Sequence, residues 1–149
     1  MLMQLNQYFK KLNTMKKKNL SAKKKIHNFY SQKLKDPRIK KIYSNFKKKL
    51  SGIVTNNMCV AVSGGVDSLA LSFLAKCLSL ETKKKIYFFI VDHRLRKNSS
   101  DEAKFVKNRL NFFQINCEIL TLTKSKKLSN LLSFARVNRY RSIIKKSSH

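Results

Sequence analysis

The sequence is poor in acid. Seven Asp and Glu residues stand against 34 Lys and Arg in 149 residues, a formal net charge of +27. Such a field attracts polyanions, with RNA, DNA or an anionic membrane as candidates. Tryptophan is absent, lysine dominates over arginine, and Asn, Ile, Phe and Ser are plentiful. An AT-rich genome writes the same bias, so the charge is a footprint of nucleic-acid contact and not a mechanism. Cysteine is scarce too. Cys59, Cys77 and Cys117 are odd in number and form no CxxC pair. That argues against a disulfide framework or a cysteine-built metal site and fits a reducing cytoplasm. Each sits in an apolar run, as a small core residue does. No apolar run reaches the roughly 18 residues of a membrane-spanning helix. Lys10 and Lys11 interrupt any signal-peptide core.

What is present divides near Ser51-Gly52. Residues 1–55 carry a net charge of +15 and residues 56–149 carry +12. The first part holds lysine triplets at Lys16–Lys18, Lys23–Lys25 and Lys47–Lys49, with sparse apolar residues. It reads as a basic extension, partly helical and partly flexible, with residues 1–24 the flexible stretch. Ile39, Ile42, Tyr43, Phe46 and Leu50 keep helical spacing, which predicts a helix over 37–50 with Pro37 in its first turn and Asp36 as its cap.

The second part alternates strands and helices. Met58–Val62, Ile86–Val91 and Cys117–Leu122 are short apolar runs suited to buried parallel strands. Val66, Leu69, Ala70, Phe73, Leu74, Cys77 and Leu78 predict a helix over 66–80. Ala103, Val106, Leu110 and Phe113 predict another over 100–113, with Ser99 and Glu102 as a capping box. A last helix over 128–146 carries Leu128, Leu131, Leu132, Ala135, Ile143 and Ile144. This order implies an α/β fold with a parallel, Rossmann-like sheet and flanking helices. Three strands make a small sheet, and the chain stops at His149 where a fourth is expected, so the domain over 56–149 reads as truncated.

Ser63-Gly64-Gly65-Val66-Asp67-Ser68 follows the first strand and opens the first helix of this part. Two glycines allow a tight turn and remove Cβ atoms from the path of phosphate oxygens. The first helical N–H groups have no intrahelical partner, and the helix dipole favours an anion there. Ser63 and Ser68 add hydroxyl donors. Asp67 would be repelled by phosphate unless a cation intervenes, and Mg²⁺ or a substrate ammonium supplies one. There is no GK[ST], which excludes a Walker A loop, and no GxGxxG, which excludes the dinucleotide fingerprint.

SGGVDS after an apolar strand resembles the loop of the PP-loop ATPases, or N-type ATP pyrophosphatases. Two further segments resemble the tRNA(Ile)-lysidine synthetases within that group. They are Val91-Asp92-His93-Arg94-Leu95-Arg96, and Asn130-Leu131-Leu132 with Ala135-Arg136-Val137-Asn138-Arg139-Tyr140. The resemblance covers about residues 58–141. It implies an adenine nucleotide alpha hydrolase-like fold and a cytoplasmic ligase, with tRNA(Ile) and free L-lysine as substrates and ATP cleaved to AMP and pyrophosphate. It implies ATP contacts at Ser63, Gly64, Gly65, Val66, Asp67, Ser68, Asp92 and His93, and catalytic roles for Asp67, Arg136 and Arg139. The family usually continues into an acidic HHxDDxxET-like segment that these residues do not contain. Another PP-loop enzyme, such as a tRNA thiolase, or a basic RNA-binding fragment without complete catalysis, are the alternatives.

Overall fold

The computed structural model describes residues 19–53, 57–82, 84–122 and 131–147. They form helices α1 (Asn19–Lys33), α2 (Pro37–Leu50), α3 (Val66–Thr82), α4 (Ser99–Phe112) and α5 (Leu131–Ser147). The strands are β1 (Asn57–Ala61), β2 (Lys85–Asp92) and β3 (Cys117–Thr121). Lys16–Lys18, Lys83, Leu128 and Asn130 lie outside the described residues, as do the side chains of Leu131 and Leu132.

The chain separates into two compact units, Met1–Lys41 and Ile42–His149. In the first, α1 begins at Asn19, so part of the stretch expected to be flexible is helical. Asp36 caps α2 as its sequence suggests. Its Oδ1 accepts the Arg38 N–H at 2.9 Å, leaving Pro37 at the position whose missing N–H costs nothing. Residues 42–50 of α2 group with the second unit. Phe46 packs against that unit's core, and Glu81 of α3 accepts hydrogen bonds from Tyr43 Oη at 2.5 Å and Lys47 Nζ at 2.7 Å.

The sheet is parallel, with order β1-β2-β3. Its register places Val60 opposite Phe88 and Phe88 opposite Cys117. Alternate residues share a face, so these three form one row of the core with Val62, Ile90, Ala75, Ala103, Leu110 and Ile115. α3 and α4 thus cover one face. Phe89 is buried outside that cluster, and so are Ala135 and Ile143 of α5, which packs on β1 and β2. The second face is closed by that helix, with a Lys146–Glu118 ion pair at 3.0 Å to β3.

Some sequence expectations change in detail. Val66 is 73% exposed while Ser72 is fully buried. Ser72 tolerates burial because its hydroxyl donates to Ser68 O at 2.7 Å. Ile144 is exposed rather than part of the inner face of α5. The capping box at Ser99 does not form. The cap is Asn98, which makes no side-chain cap bond, and Ser99 Oγ donates instead to Arg96 O at 3.0 Å. Among the described residues no helix is long and apolar enough to cross a membrane.

Candidate functional site: a glycine loop beside a polar-rimmed cavity

The loop between β1 and α3 is held by serine hydroxyls. Ser68 Oγ donates to Gly65 O at 2.9 Å and accepts the Ser63 N–H at 3.3 Å, with Ser63 Oγ 3.2 Å away. The turn is thereby closed before any ligand arrives. The first intrahelical bond runs from Leu69 N–H to Gly65 O at 3.1 Å, so the amides of Gly65, Val66, Asp67 and Ser68 precede the α-helical ladder. The Asp67 side chain is exposed in this first turn.

The two glycines differ. Gly64 has φ +87, in the left-handed region, and a Cβ there would meet Val106 Cγ2 of α4 at 2.5 Å. Its bare backbone is therefore required by the fold as much as by a ligand. At Gly65 a Cβ would meet only Ser63 Oγ, at 3.7 Å. Gly65 is the position where the loop stays open to an incoming group.

A cavity of about 180 Å³ opens beside the loop at the carboxyl ends of β1 and β2. In open α/β sheets that end is where ligands bind. Ser63, Asp92, His93 and Arg139 all line it, so the structure brings together residues from the three sequence segments. Arg96, Ser99, Glu102 and Val106 line it as well. Sequence reasoning had given Ser99 and Glu102 a capping role and Val106 a core role. The fact that Arg96 and Glu102 follow a strand's carboxyl end was the available signal. Gly64 to Ser68 and Arg136 are not among the lining residues. The loop continues from Ser63, at the cavity edge, whereas the Arg136 side chain is exposed on α5.

Asp92 is 4% exposed and already engaged. Its Oδ2 accepts Ser100 Oγ at 2.6 Å and its Oδ1 accepts the Arg94 N–H at 2.9 Å. Burial works to raise its pKa, but the bonds from Ser100 and Arg94, helped by Ser99, outweigh it and the carboxyl stays below its ordinary value. Arg94 turns at φ 51, a conformation non-glycine residues rarely adopt, and the Asp92 bond holds it there. Asp92 thus ties the end of β2 to the first turn of α4 and shapes the wall.

His93 is half-buried, and its Nε2 is buried without a hydrogen-bond partner among the described residues. Burial lowers its pKa, the nearby Arg139 guanidinium lowers it further, and Asp92 works in the opposite direction. A neutral imidazole beside a half-buried cation leaves one unsatisfied nitrogen for a ligand.

The sequence profile of the PP-loop domain matches residues 33–149, and the chain belongs to that family. Within it, the chain is similar to tRNA(Ile)-lysidine synthases. It is 31% identical to that of Rickettsia peacockii (strain Rustic) over 103 residues, covering 66% of this chain and 19% of the relative. It is 31% identical to that of Rickettsia bellii (strain OSU 85-389) over 100 residues, covering 67% and 23%. The match thus spans about a fifth of these relatives' length. Together with the family match it bears out the resemblance to the N-terminal portion of such enzymes. Among solved structures, the NH3-dependent NAD synthetase from Campylobacter jejuni subsp. jejuni NCTC 11168, in complex with the nitrate ion, has a similar fold. The TM-score is 0.50 at 15% identity, covering 74% of this chain and 50% of that one. It supports the Rossmann-like arrangement alone.

Proposed function

We propose that this chain carries the ATP-dependent activation site of a ligase that joins L-lysine to carbon 2 of the wobble cytidine of tRNA(Ile). The observation that carries the proposal is the SGGVDS loop, whose amides precede the helical ladder beside a cavity lined by Arg139 and by His93, whose Nε2 has no hydrogen-bond partner among the described residues. The similarity to tRNA(Ile)-lysidine synthases supports a tRNA acceptor.

ATP fits the residues present. The backbone amides of 65–68 form a donor cluster for a polyphosphate. The cavity, at about 180 Å³, is smaller than the roughly 300 Å³ where ligand pockets begin, so it suits one part of a nucleotide. Asp67 is the loop carboxylate available to Mg²⁺, which commonly binds through one or two carboxylates plus substrate phosphates. Among the described residues there is no larger His, Cys, Asp or Glu group that could hold a metal alone.

In the proposed reaction the cytidine O2 attacks the α-phosphorus, and the bond to the bridging oxygen breaks to release pyrophosphate. The lysine amine then attacks carbon 2, and AMP leaves with the O2 oxygen. The loop holds the departing pyrophosphate. Arg139 offsets negative charge that develops at the cavity mouth, while His93 and Asp92 shape the side nearer the nucleoside. Since the charge excess favours polyanions, affinity for tRNA should fall steeply with salt. The compartment proposed is the cytoplasm, in keeping with three free cysteines.

The test is incubation with tRNA(Ile), ATP and isotope-labelled lysine, followed by nucleoside mass spectrometry. Label on the wobble cytidine that requires both ATP and Gly65 is the expected result. Labelling unchanged by Gly65→Asp would refute the assignment.

A further inference from the structure

Helix α5 has two working faces. Ala135, Arg139 and Ile143 recur every four residues on the inner one. Ala135 and Ile143 are buried, and Arg139 lines the cavity. On the outer one Val137 and Tyr140 are 47% and 51% exposed. Exposed Arg136, Arg141 and Lys145 flank them. At about 100° per residue, Val137, Tyr140, Arg141 and Lys145 occupy the half of the helix away from Arg139, and Arg136 lies about 60° from Arg139, at the edge between the two faces.

Among the described residues no ion pair involves Arg136, Arg141 or Lys145. Among the described residues, Glu118 pairs with Lys146, Glu102 with Arg96, Asp101 with Lys104, and Glu81 with Lys47. Tyr140 has Arg136 four residues before it and Val137 three before it, so the three positions are neighbours on the helix surface. A single exposed apolar residue is ordinary. A ring set between unpaired arginines is instead a surface for unpaired nucleotides, because bases stack on aromatic and guanidinium planes while the cations hold phosphates. Paired RNA would use the cations and leave the ring idle. The apolar strip, Val137, Tyr140 and exposed Ile144, spans only about 60° of arc, narrower than the broad apolar face of a helix lying in a membrane surface.

We infer that the outer face of α5 docks a single-stranded RNA segment, with Tyr140 stacking on a base and Arg136 and Arg141 holding the flanking phosphates. The inference rests on the tRNA reading above and adds where the RNA lies. Arg136 is three residues from Arg139 on the same helix, so it leads from the outer face toward the cavity.

The test uses the full chain and fluorescence anisotropy with a labelled synthetic RNA hairpin, a fully paired RNA of equal length and anionic phospholipid vesicles. ATP affinity is measured in parallel. The hairpin should bind better than the duplex. Tyr140→Ala should weaken the hairpin about tenfold or more and leave ATP affinity unchanged, while Tyr140→Phe keeps hairpin affinity. Combined Arg136→Ala and Arg141→Ala should lower the salt slope for RNA by roughly 1 to 2. Should Tyr140→Ala melt early, Tyr140→Phe and the exposed arginine pair carry the test. If wild type holds the hairpin and neither Tyr140→Ala nor the arginine pair changes it, the inference falls while the tRNA reading stands. Preference for vesicles over hairpin overturns it as well. If wild type binds ATP but no RNA, the tRNA reading itself falls.

Discussion

Replacing Gly64 by alanine should cost the fold, by two separable routes. The first is conformational. At φ +87 an L-residue pays about 1–2 kcal/mol. The second is steric. The new Cβ would sit 2.5 Å from Val106 Cγ2, where carbon contacts prefer about 3.5–4.0 Å, and overpacking of this kind costs about 1–3 kcal/mol. The sum, roughly 2–5 kcal/mol, is a large share of the 5–15 kcal/mol that typically separates folded from unfolded chains. Val106→Ala frees the space but does not change φ. The double variant should therefore be more stable than additivity predicts by about 1–3 kcal/mol, the steric part alone. Urea denaturation of the four proteins, compared at constant m-value, measures this. Gly65→Ala serves as the control. It meets nothing closer than 3.7 Å and should leave the midpoint nearly unchanged while weakening ATP. A Gly64→Ala variant as stable as wild type, or a strictly additive double variant, would refute the reasoning.

Three further outcomes are expected. Asp92→Ala leaves Ser100 Oγ and the Arg94 N–H without their acceptor and should cost about 1–3 kcal/mol in urea midpoint. Because the folded Asp92 pKa is depressed, this contribution is present above the ordinary 3.8 and is lost as pH falls through the folded value. His93 is also depressed, but it is a base. The unfolded chain then binds more protons, so stability is full above 6.5 and declines as pH falls below it. His93→Gln should flatten the urea midpoint between weakly acidic and neutral pH. Tyr43→Phe removes the donor to Glu81 Oε2 and should lower stability by about 1 kcal/mol, read by thermal melting, with ATP affinity intact.

The strands, the helices and the loop were legible because their signals are local. Apolar runs give buried strands, and Asp36-Pro37 gives a helix start. Gly64 and Gly65 both announced a tight turn, yet only the packing of α4 reveals that Val106 excludes a side chain from Gly64. The family resemblance implied catalytic roles for both Arg136 and Arg139. Three residues on a helix leave them about 60° apart, enough for the sheet to take one edge of that arc and solvent the other. Arg139 thus lines the cavity while Arg136 is exposed. Ser99-x-x-Glu102 had the letters of a capping box, but the Ser99 hydroxyl donates to Arg96 O and the helix is capped at Asn98 instead. The Tyr43–Glu81 bond spans 38 residues, beyond any pattern in a single sequence.

The central claim is that the loop after β1 holds the pyrophosphate portion of ATP. Equilibrium binding of a fluorescent ATP analogue, competed with inorganic pyrophosphate, tests it most directly in wild type and Gly65→Asp. The account predicts saturable binding displaced by pyrophosphate and abolished by Gly65→Asp, with the melting temperature little changed. Equal affinity in both proteins, or binding that pyrophosphate does not displace, would contradict it.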